Sequence, residues 1–233
     1  MSIDIRPAKS RFHTKIDWLD SWHSFSFADH HDPTNTHHGL LLVSNDDVVA
    51  GGRGFGMHHH QDMEIVTWVI SGQVEHRDSQ GNHGIIRPGL AQRMSAGSGI
   101  MHSEMNPSKT EPVRLVQMWV LPDVRGGEPG YQEVDISDEL DRGGLVKVAS
   151  GSPNAAPISI RQRGAELWAG HLAPDTTVDV PQDGHVHVFV ATGAADLAGT
   201  TLQQGDAARL TNEGAQTLAV SSEGASVLIW ATT

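Results

Sequence analysis

The sequence predicts an all-β protein that consists of two small β-barrels in tandem. Short apolar segments recur along the whole chain, and turn-forming residues separate them. With 25 Gly and 11 Pro among 233 residues, the composition favours many turns over long helices. A weak internal repeat divides the chain into two similar halves. An apolar fraction of 38% is enough for a hydrophobic core in each half.

Five apolar segments carry the strand prediction. Each is bounded by Gly, Pro, Asn or Asp, which interrupt strands and form turns. The segments are GLLLVS at 39–44, EIVTWVIS at 64–71, VRLVQMWVL at 113–121, HVHVFVAT at 185–192 and ASVLIWAT at 225–232.

A Gly-rich, charged segment between Pro122 and Ser152 lacks a sustained apolar period. We interpret it as the connection between the halves, with a short helical turn near Ser137 to Leu140. The predicted units are therefore an N-terminal barrel at 1–125, a connecting segment at 126–150 and a C-terminal barrel at 151–233.

The internal repeat supports this division. EIVTWVISG at 64–72 matches HVHVFVATG at 185–193, and PGLAQRMSAG at 88–97 matches QGDAARLTNE at 204–213. The second match preserves Arg93 as Arg209. Two similar β units are implied.

Charge and composition exclude several classes of function. A net charge of -12 and the lack of any basic cluster argue against a nucleic-acid partner. The chain has no cysteine, so a metal site must use His and carboxylate ligands. No segment approaches the ~20 apolar residues of a membrane span. We expect a cytoplasmic protein with no membrane partner.

The 15 His residues include a cluster with the spacing of metal ligands. In GMHHHQDME, His58 and His60 share one face of an extended strand, and in GIMHSEMN so do His102 and Glu104. Two adjacent strands would bring three imidazoles and one carboxylate to one centre. Glu64 shares the face of His58 and His60, so spacing leaves a second candidate carboxylate. His triplets are often solvated loop residues, but the strand context and the repeated spacing favour a metal site.

The second half is predicted to lack such a site. In the repeat, residues that cannot form a second metal site occupy the positions of the four candidate ligands. These residues are Asp179, Pro181, Leu218 and Val220. The HxH pair His185 and His187 has no partner further along the chain, so we expect it to be structural.

The candidate residues resemble the paired motifs of the cupin superfamily. The pattern runs Gly52, His58-x-His60 and Glu64, then Gly99, His102 and Asn106. Two departures from the general cupin motifs are similar to the pirin branch: Gly72 comes one residue later than in the first motif, and Gly97 replaces the proline of the second. Three stretches closely resemble bacterial pirin-like proteins: WLDSWHSFSFADHHDP at 18–33, VEHRDSQGNHGIIRPG at 74–89 and MSAGSGIMHSEMNPS at 94–108.

This resemblance implies a bicupin, two double-stranded β-helix barrels with the metal in the first. It also implies that Glu104 is the fourth ligand, which leaves Glu64 as a pocket residue that orients a ligating His. The activity it implies is that of a quercetinase, which opens a flavonol ring with molecular oxygen and releases carbon monoxide. Glu104 would then take the proton of the flavonol 3-hydroxyl as general base.

Several alternatives stay open. Some pirins resemble metal-dependent, redox-sensitive regulators that bind a protein partner, and another oxygenase substrate would fit the same ligands. Iron is the divalent ion we expect first, with Ni, Mn, Co, Cu and Zn as alternatives. Five apolar residues are candidates for an aromatic slot, although core packing is the favoured role of each: Trp68, Phe25, Phe27, Met94 and Met101.

Overall fold

A computed structural model describes residues 2–233, and its secondary structure is almost entirely β. One helix is longer than a single 3₁₀ turn within this part of the chain, α1 at Ser137–Asp141, and a 3₁₀ turn spans Ala8–Ser10. Across 2–233 no helix has the length and apolar character needed to cross a membrane. The predicted all-β class is confirmed.

The first half of the chain contains twelve strands. They are β1 Ser2–Arg6, β2 Phe12–Lys15, β3 Leu19–His23, β4 Leu41–Val49, β5 Gly54–His60, β6 Glu64–Ser71, β7 Val74–Asp78, β8 His83–Ile86, β9 Leu90–Ser95, β10 Ile100–Met105, β11 Val113–Val120 and β12 Gly130–Asp135. All of them except β1 form the first barrel, from a sheet in the order β12-β9-β6-β11-β4-β3-β2 and a smaller sheet in the order β5-β10-β7-β8.

The second barrel is built on one sheet in the order β1-β19-β17-β20-β15-β13-β14, with β16 beside β20 and β18 beside β17. Its remaining strands are β13 Val146–Ser150, β14 Ile158–Ser159, β15 Ala165–Leu172, β16 Thr177–Asp179, β17 His185–Leu197, β18 Thr200–Gln203, β19 Ala207–Thr211 and β20 Thr217–Thr232. Strand β1 thus pairs with the second barrel although the first barrel follows it in the chain.

The strand predictions agree closely with the structure. EIVTWVIS is β6, and the segment at 113–121 is β11 without its last residue. The predicted helical turn is α1. The connecting segment, for which the sequence predicts a helical turn and no strand, also contains β12, which pairs with β9, and β13. The unit boundaries 1–125, 126–150 and 151–233 stay a prediction.

The repeated segments occupy equivalent strands in the same register. In the first barrel Glu64 lies opposite Ser95, and in the second barrel His185 lies opposite Thr211. Two residues further along, Val66 faces Arg93 and His187 faces Arg209. Each match of the sequence repeat is therefore also a match of strand pairing.

The two barrels share a hydrophobic core. The largest cluster of buried apolar residues contains Val66 and Met118 of the first barrel together with Leu228 and Trp230 of the second. Trp230 is 1% exposed, and its Nε1 donates to the Met118 Sδ at 3.1 Å. A separate cluster fills the second barrel. Two smaller clusters of buried apolar residues belong to the first barrel alone.

Strands β5 and β10 approach closely at Gly54, which has a φ of 157°. A Cβ at this position would overlap the backbone oxygen of Glu104. We expect Gly54→Ala to lower the free energy of unfolding by several kcal/mol, because neither backbone can move without separating the two strands. Gly56→Ala in the same strand is the matched control, since a Cβ there meets nothing within 4 Å.

Denaturant titration of both variants measures this difference. Equal stability of the Gly54 and Gly56 variants would contradict the close approach of the two strands.

Candidate metal centre

The pairing of β5 with β10 brings the three predicted histidines together. Within this antiparallel pair, His102 lies directly opposite His58, and Ile100 lies opposite His60. The register then shifts, so that Glu104 lies opposite Phe55. Two residues of β5 oppose one residue of β10 at this point, which is a β-bulge, a feature common beside functional sites.

The three imidazoles are close enough to hold one ion. The ring centroids of His58 and His102 lie 4.4 Å apart, those of His58 and His60 4.8 Å, and those of His60 and His102 5.0 Å. One ring nitrogen from each residue lies within 4.8 Å of the other two. Metal–nitrogen bonds of about 2.0–2.1 Å require only a small further contraction. In the part of the chain described, 2–233, this is the one such group of potential ligands.

The hydrogen bonding of these rings fits a metal ion. Buried ring nitrogens usually have a hydrogen-bond partner, yet His60 Nε2 and both ring nitrogens of His102 have none. The carbonyl of Gly56 lies 2.7 Å from His58 Nδ1, an arrangement that places the proton there and leaves Nε2 free to ligate. The chemistry of the three side chains therefore suits a divalent transition metal.

The protonation state of the rings also fits. Burial, and after it the neighbouring imidazoles, lower the pKa of His60 to about 4 and the pKa of His102 to about 3. Both rings are therefore neutral at neutral pH, which is the form that binds metals.

Glu104 lies on the same strand as His102 and faces the same cavity as His58 and His60. Thr67 Oγ1 donates to its Oε1 at 2.9 Å, and the Gln117 side-chain amide donates to its Oε2. Trp119 Nε1 in turn donates to the oxygen of Gln117 at 3.1 Å. The carboxylate is 5% exposed and oriented by these bonds. Its role as a ligand stays a prediction.

Glu64 lies elsewhere, and its expected role in orienting a ligating His is wrong. Its Oε2 accepts hydrogen bonds from Ser95 Oγ at 2.8 Å and from the backbone amide of Arg161 at 3.1 Å. Burial raises the pKa of this carboxyl group. Because Arg161 follows the connecting segment, Glu64 links the first barrel to the chain that enters the second.

A cavity of about 300 Å³ opens from the three-histidine cluster. It is lined by apolar side chains and by polar side chains, most of them from β2, β3 and β4, which form its polar wall. The apolar lining residues are Leu19, Phe27, Ala28, Phe55 and Trp119, and the polar ones beyond the candidate site are Thr14, Ser21, His23, Asn45, Asp47 and Gln117. Pockets of this size and mixed character hold small organic molecules.

Of the five apolar slot candidates, only Phe27 lines this cavity. Phe25, Trp68 and Met94 are core residues with 1%, 4% and 0% exposure, and Met101 is 37% exposed. The polar wall was not predicted. A signal for it exists, since Ser21-x-His23 and Asn45-x-Asp47 repeat the i, i+2 spacing of the histidines on strands that enclose a barrel interior.

Asp47 in the polar wall should make stability depend on pH. Burial raises its pKa to about 7, although Ser21 donates a hydrogen bond to it. The folded pKa exceeds the unfolded value of 3.8, so the native state binds more protons between the two values. Stability therefore falls as pH rises from about 4 to about 7, in total by on the order of 4 kcal/mol.

We expect Asp47→Asn to remove this dependence, because asparagine does not ionise and still accepts the Ser21 bond. Thermal unfolding of the chelated protein at about pH 5 and about pH 8 measures the effect. The variant should gain stability relative to the unmodified protein at the higher pH only. Parallel curves for the two proteins would contradict the prediction.

Comparison with known proteins matches the chain along most of its length. The family model described as Pirin matches residues 5–120, and the model described as Quercetinase C-terminal cupin domain matches residues 147–230. A Mycobacterium tuberculosis protein that carries the name quercetin 2,3-dioxygenase provisionally is 52% identical over 231 residues, which cover 98% of this chain and 94% of that protein.

A named protein and a crystal structure from Escherichia coli are also similar. The K12 protein named quercetin 2,3-dioxygenase is 38% identical over 224 residues, with 95% of each chain covered. The crystal structure of the bacterial pirin YhhW in complex with nickel(II) aligns with a TM-score of 0.90 and 36% identity, and the alignment covers 98% of each chain.

Proposed function

The chain belongs to the pirin family and has its tandem cupin fold, and on this premise we propose that it is a metal-dependent flavonol dioxygenase of the quercetin 2,3-dioxygenase type. The reaction would open the central ring of a flavonol with molecular oxygen and release carbon monoxide. The observation that carries the proposal is the group of three imidazoles, with ring nitrogens that lack hydrogen-bond partners, beside a cavity with aromatic walls.

In this proposal His58, His60 and His102 hold a divalent ion, and Glu104 is the fourth ligand. When bound, the ion would supply Lewis acidity toward a coordinating hydroxyl group. Iron is the ion we expect first, and the nickel complex of YhhW makes nickel an equal candidate for the assay. The proposed site lies within the N-terminal unit 1–125, and the unit 151–233 carries no ligand.

Glu104 would act as general base toward the flavonol 3-hydroxyl. Thr67 and Gln117 hold its two carboxylate oxygens in place, so the oxygen that accepts the proton has a fixed position. Phe27 and Trp119, whose ring centroids lie 5.5 Å apart in an edge-to-face pair, provide apolar surfaces for a planar aromatic molecule.

The test is an oxygen-consumption assay with protein that has been chelated and reloaded with Fe, Ni, Mn, Co or Cu. We expect at least one of these forms to consume quercetin and oxygen and to release carbon monoxide. Flavone, which lacks the 3-hydroxyl, is the matched control and should not react.

Metal-loaded protein that consumes neither oxygen nor flavonol would overturn the proposal. In that case, a redox-dependent association with a protein partner would favour the regulatory function instead. Oxygen consumption with a different aromatic substrate would keep the dioxygenase class but change its substrate.

A further inference from the structure

The second barrel contains a buried arginine that has no carboxylate partner. Arg209 in β19 is 6% exposed. Its guanidinium donates to Asn35 Oδ1 and to the backbone oxygen of Ser24, both at 2.8 Å, while its Nε has no partner. Neither bond involves a negative charge, and within residues 2–233 Arg209 forms no ion pair. A buried charge of this kind is normally compensated, because its desolvation is costly.

The repeat explains how this charge was left without a carboxylate. Arg93, the equivalent residue of the first barrel, is also buried, and burial lowers its pKa, but the negative charge of Glu64 lies near enough to oppose that shift. The strand register places His185 where the first barrel has Glu64. The second barrel has therefore kept the arginine of the repeat but not the acid.

Beside Arg209 is a cavity of about 130 Å³ that two more arginines, Arg6 and Arg11, also line. Burial, and then the positive charge of Arg6, lower the pKa of Arg209 to about 10, while the negative charge of Asp4 acts in the opposite direction. Hydroxyl groups of Ser10 and Ser24 belong to the same lining.

The acidic groups nearby are already engaged. Asp46 pairs with Arg11 at 3.4 Å but also binds Arg114 at 2.9 Å. Asp4 lies 3.4 Å from Arg6 and is 55% exposed at its side chain. Asp32 lines the cavity, and its Oδ1 accepts two hydrogen bonds from Thr34. Asp206, whose charge also attracts Arg11, accepts hydrogen bonds from the backbone amides of Ala8 and Gln203. These carboxylates are shared, solvated or bound to backbone amides, so they only partly balance the three guanidinium groups.

We propose that this cavity binds a small tetrahedral oxyanion such as phosphate or sulfate. Guanidinium groups form charge-assisted, forked hydrogen bonds to such anions. The three arginines come from three segments: β1, the residue after the 3₁₀ turn and β19. A tetrahedral anion has more oxygens to accept hydrogen bonds from three guanidinium groups than a carboxylate, which has two.

The proposed anion would lie where β1 crosses to the second barrel, and it would connect both barrels through Arg209 and the Ser24 region. The cavity shares no lining residue with the cavity of the metal centre. Its occupation is therefore independent of the proposed oxygenase activity.

Isothermal titration with inorganic phosphate, sulfate or acetate at constant ionic strength tests this proposal. We expect saturable binding of phosphate and sulfate with one site per chain, and a matching rise in the unfolding temperature. Arg6→Gln should weaken phosphate binding by about tenfold or more, since it removes a charge-assisted contact. Arg6 is partly exposed, so this variant should fold even if Arg209→Gln does not.

Arg163→Gln is the matched control, because the Arg163 side chain is 90% exposed and does not line the cavity. It should bind phosphate as the unmodified protein does. The proposal is overturned by the absence of saturable binding, by unchanged affinity in Arg6→Gln, or by equal weakening in Arg163→Gln. Acetate that binds as tightly as phosphate would overturn the assignment to a tetrahedral anion.

Discussion

His102→Ala protein is expected to purify folded but without its metal, and to show no measurable turnover of flavonol. The His102 side chain lies opposite His58, is 1% exposed and has no hydrogen-bond partner on either ring nitrogen. Its removal costs the site one of three imidazoles and breaks no hydrogen bond, and beyond the site it removes a ring contact with His76 at 5.3 Å. Loss of a group that only hydrogen-bonds a metal ligand costs about 10–100-fold in metal affinity, so loss of the ligand itself should cost more.

Elemental analysis and far-ultraviolet circular dichroism measure metal content and folding in the same samples. Two histidine variants serve as controls. His59→Ala changes the exposed neighbour of the ligands in β5, and His185→Ala changes the HxH pair of the second barrel. Both controls should keep their metal. A His102→Ala protein with unchanged metal content would disprove the assignment of this residue.

Replacement of Glu104 should abolish turnover by a different route. Glu104→Ala removes both the proposed fourth ligand and the proposed base, so metal occupancy and activity should both fall. Glu104→Gln separates the two roles, because three imidazoles alone can hold a catalytic ion. We expect this variant to keep part of its metal while kcat falls about 10²–10⁴-fold, the usual contribution of a general base.

The hydrogen bonds around Glu104 explain why Glu104→Gln should lower kcat strongly. Gln117 donates to one carboxylate oxygen and accepts from Trp119, so it is not free to turn and accept from an amide at position 104. Thr67→Val is a useful comparison, because it removes one bond to Glu104 and leaves the carboxylate. It should lower kcat much less. Glu104→Gln protein with full metal and the original kcat would eliminate Glu104 as the base.

The local sequence pattern predicts strands well where one face is buried. Strand β6 has the predicted bounds because its apolar run ends abruptly at Gly72. The pattern fails for β12, an edge strand whose residues are half-buried or exposed and so lack an apolar period. It also gives no indication that β1 pairs with β19, because that contact depends on residues at opposite ends of the chain.

The candidate site shows the same division between local and distant information. His58, His60 and His102 were predictable because the i, i+2 spacing is a property of a single strand. The choice between Glu104 and Glu64 required the family resemblance, since the strand period places each of them on the same face as a candidate histidine. That Asp47 lines the same cavity as the histidines depends on how distant strands come together in the barrel, and the sequence contains only its i, i+2 relation to Asn45.

The pairing of β1 with β19 has a consequence for the order of events on the ribosome. Strand β1 is synthesised before the first barrel, but its partner β19 emerges only after the whole of that barrel. The first barrel contains its own β2 to β12, so it can close and acquire its ion while β1 still waits unpaired. Maturation of the metal site would then precede completion of the fold, and a nascent chain whose connecting segment has left the ribosome, but whose β19 has not yet been made, should already bind metal.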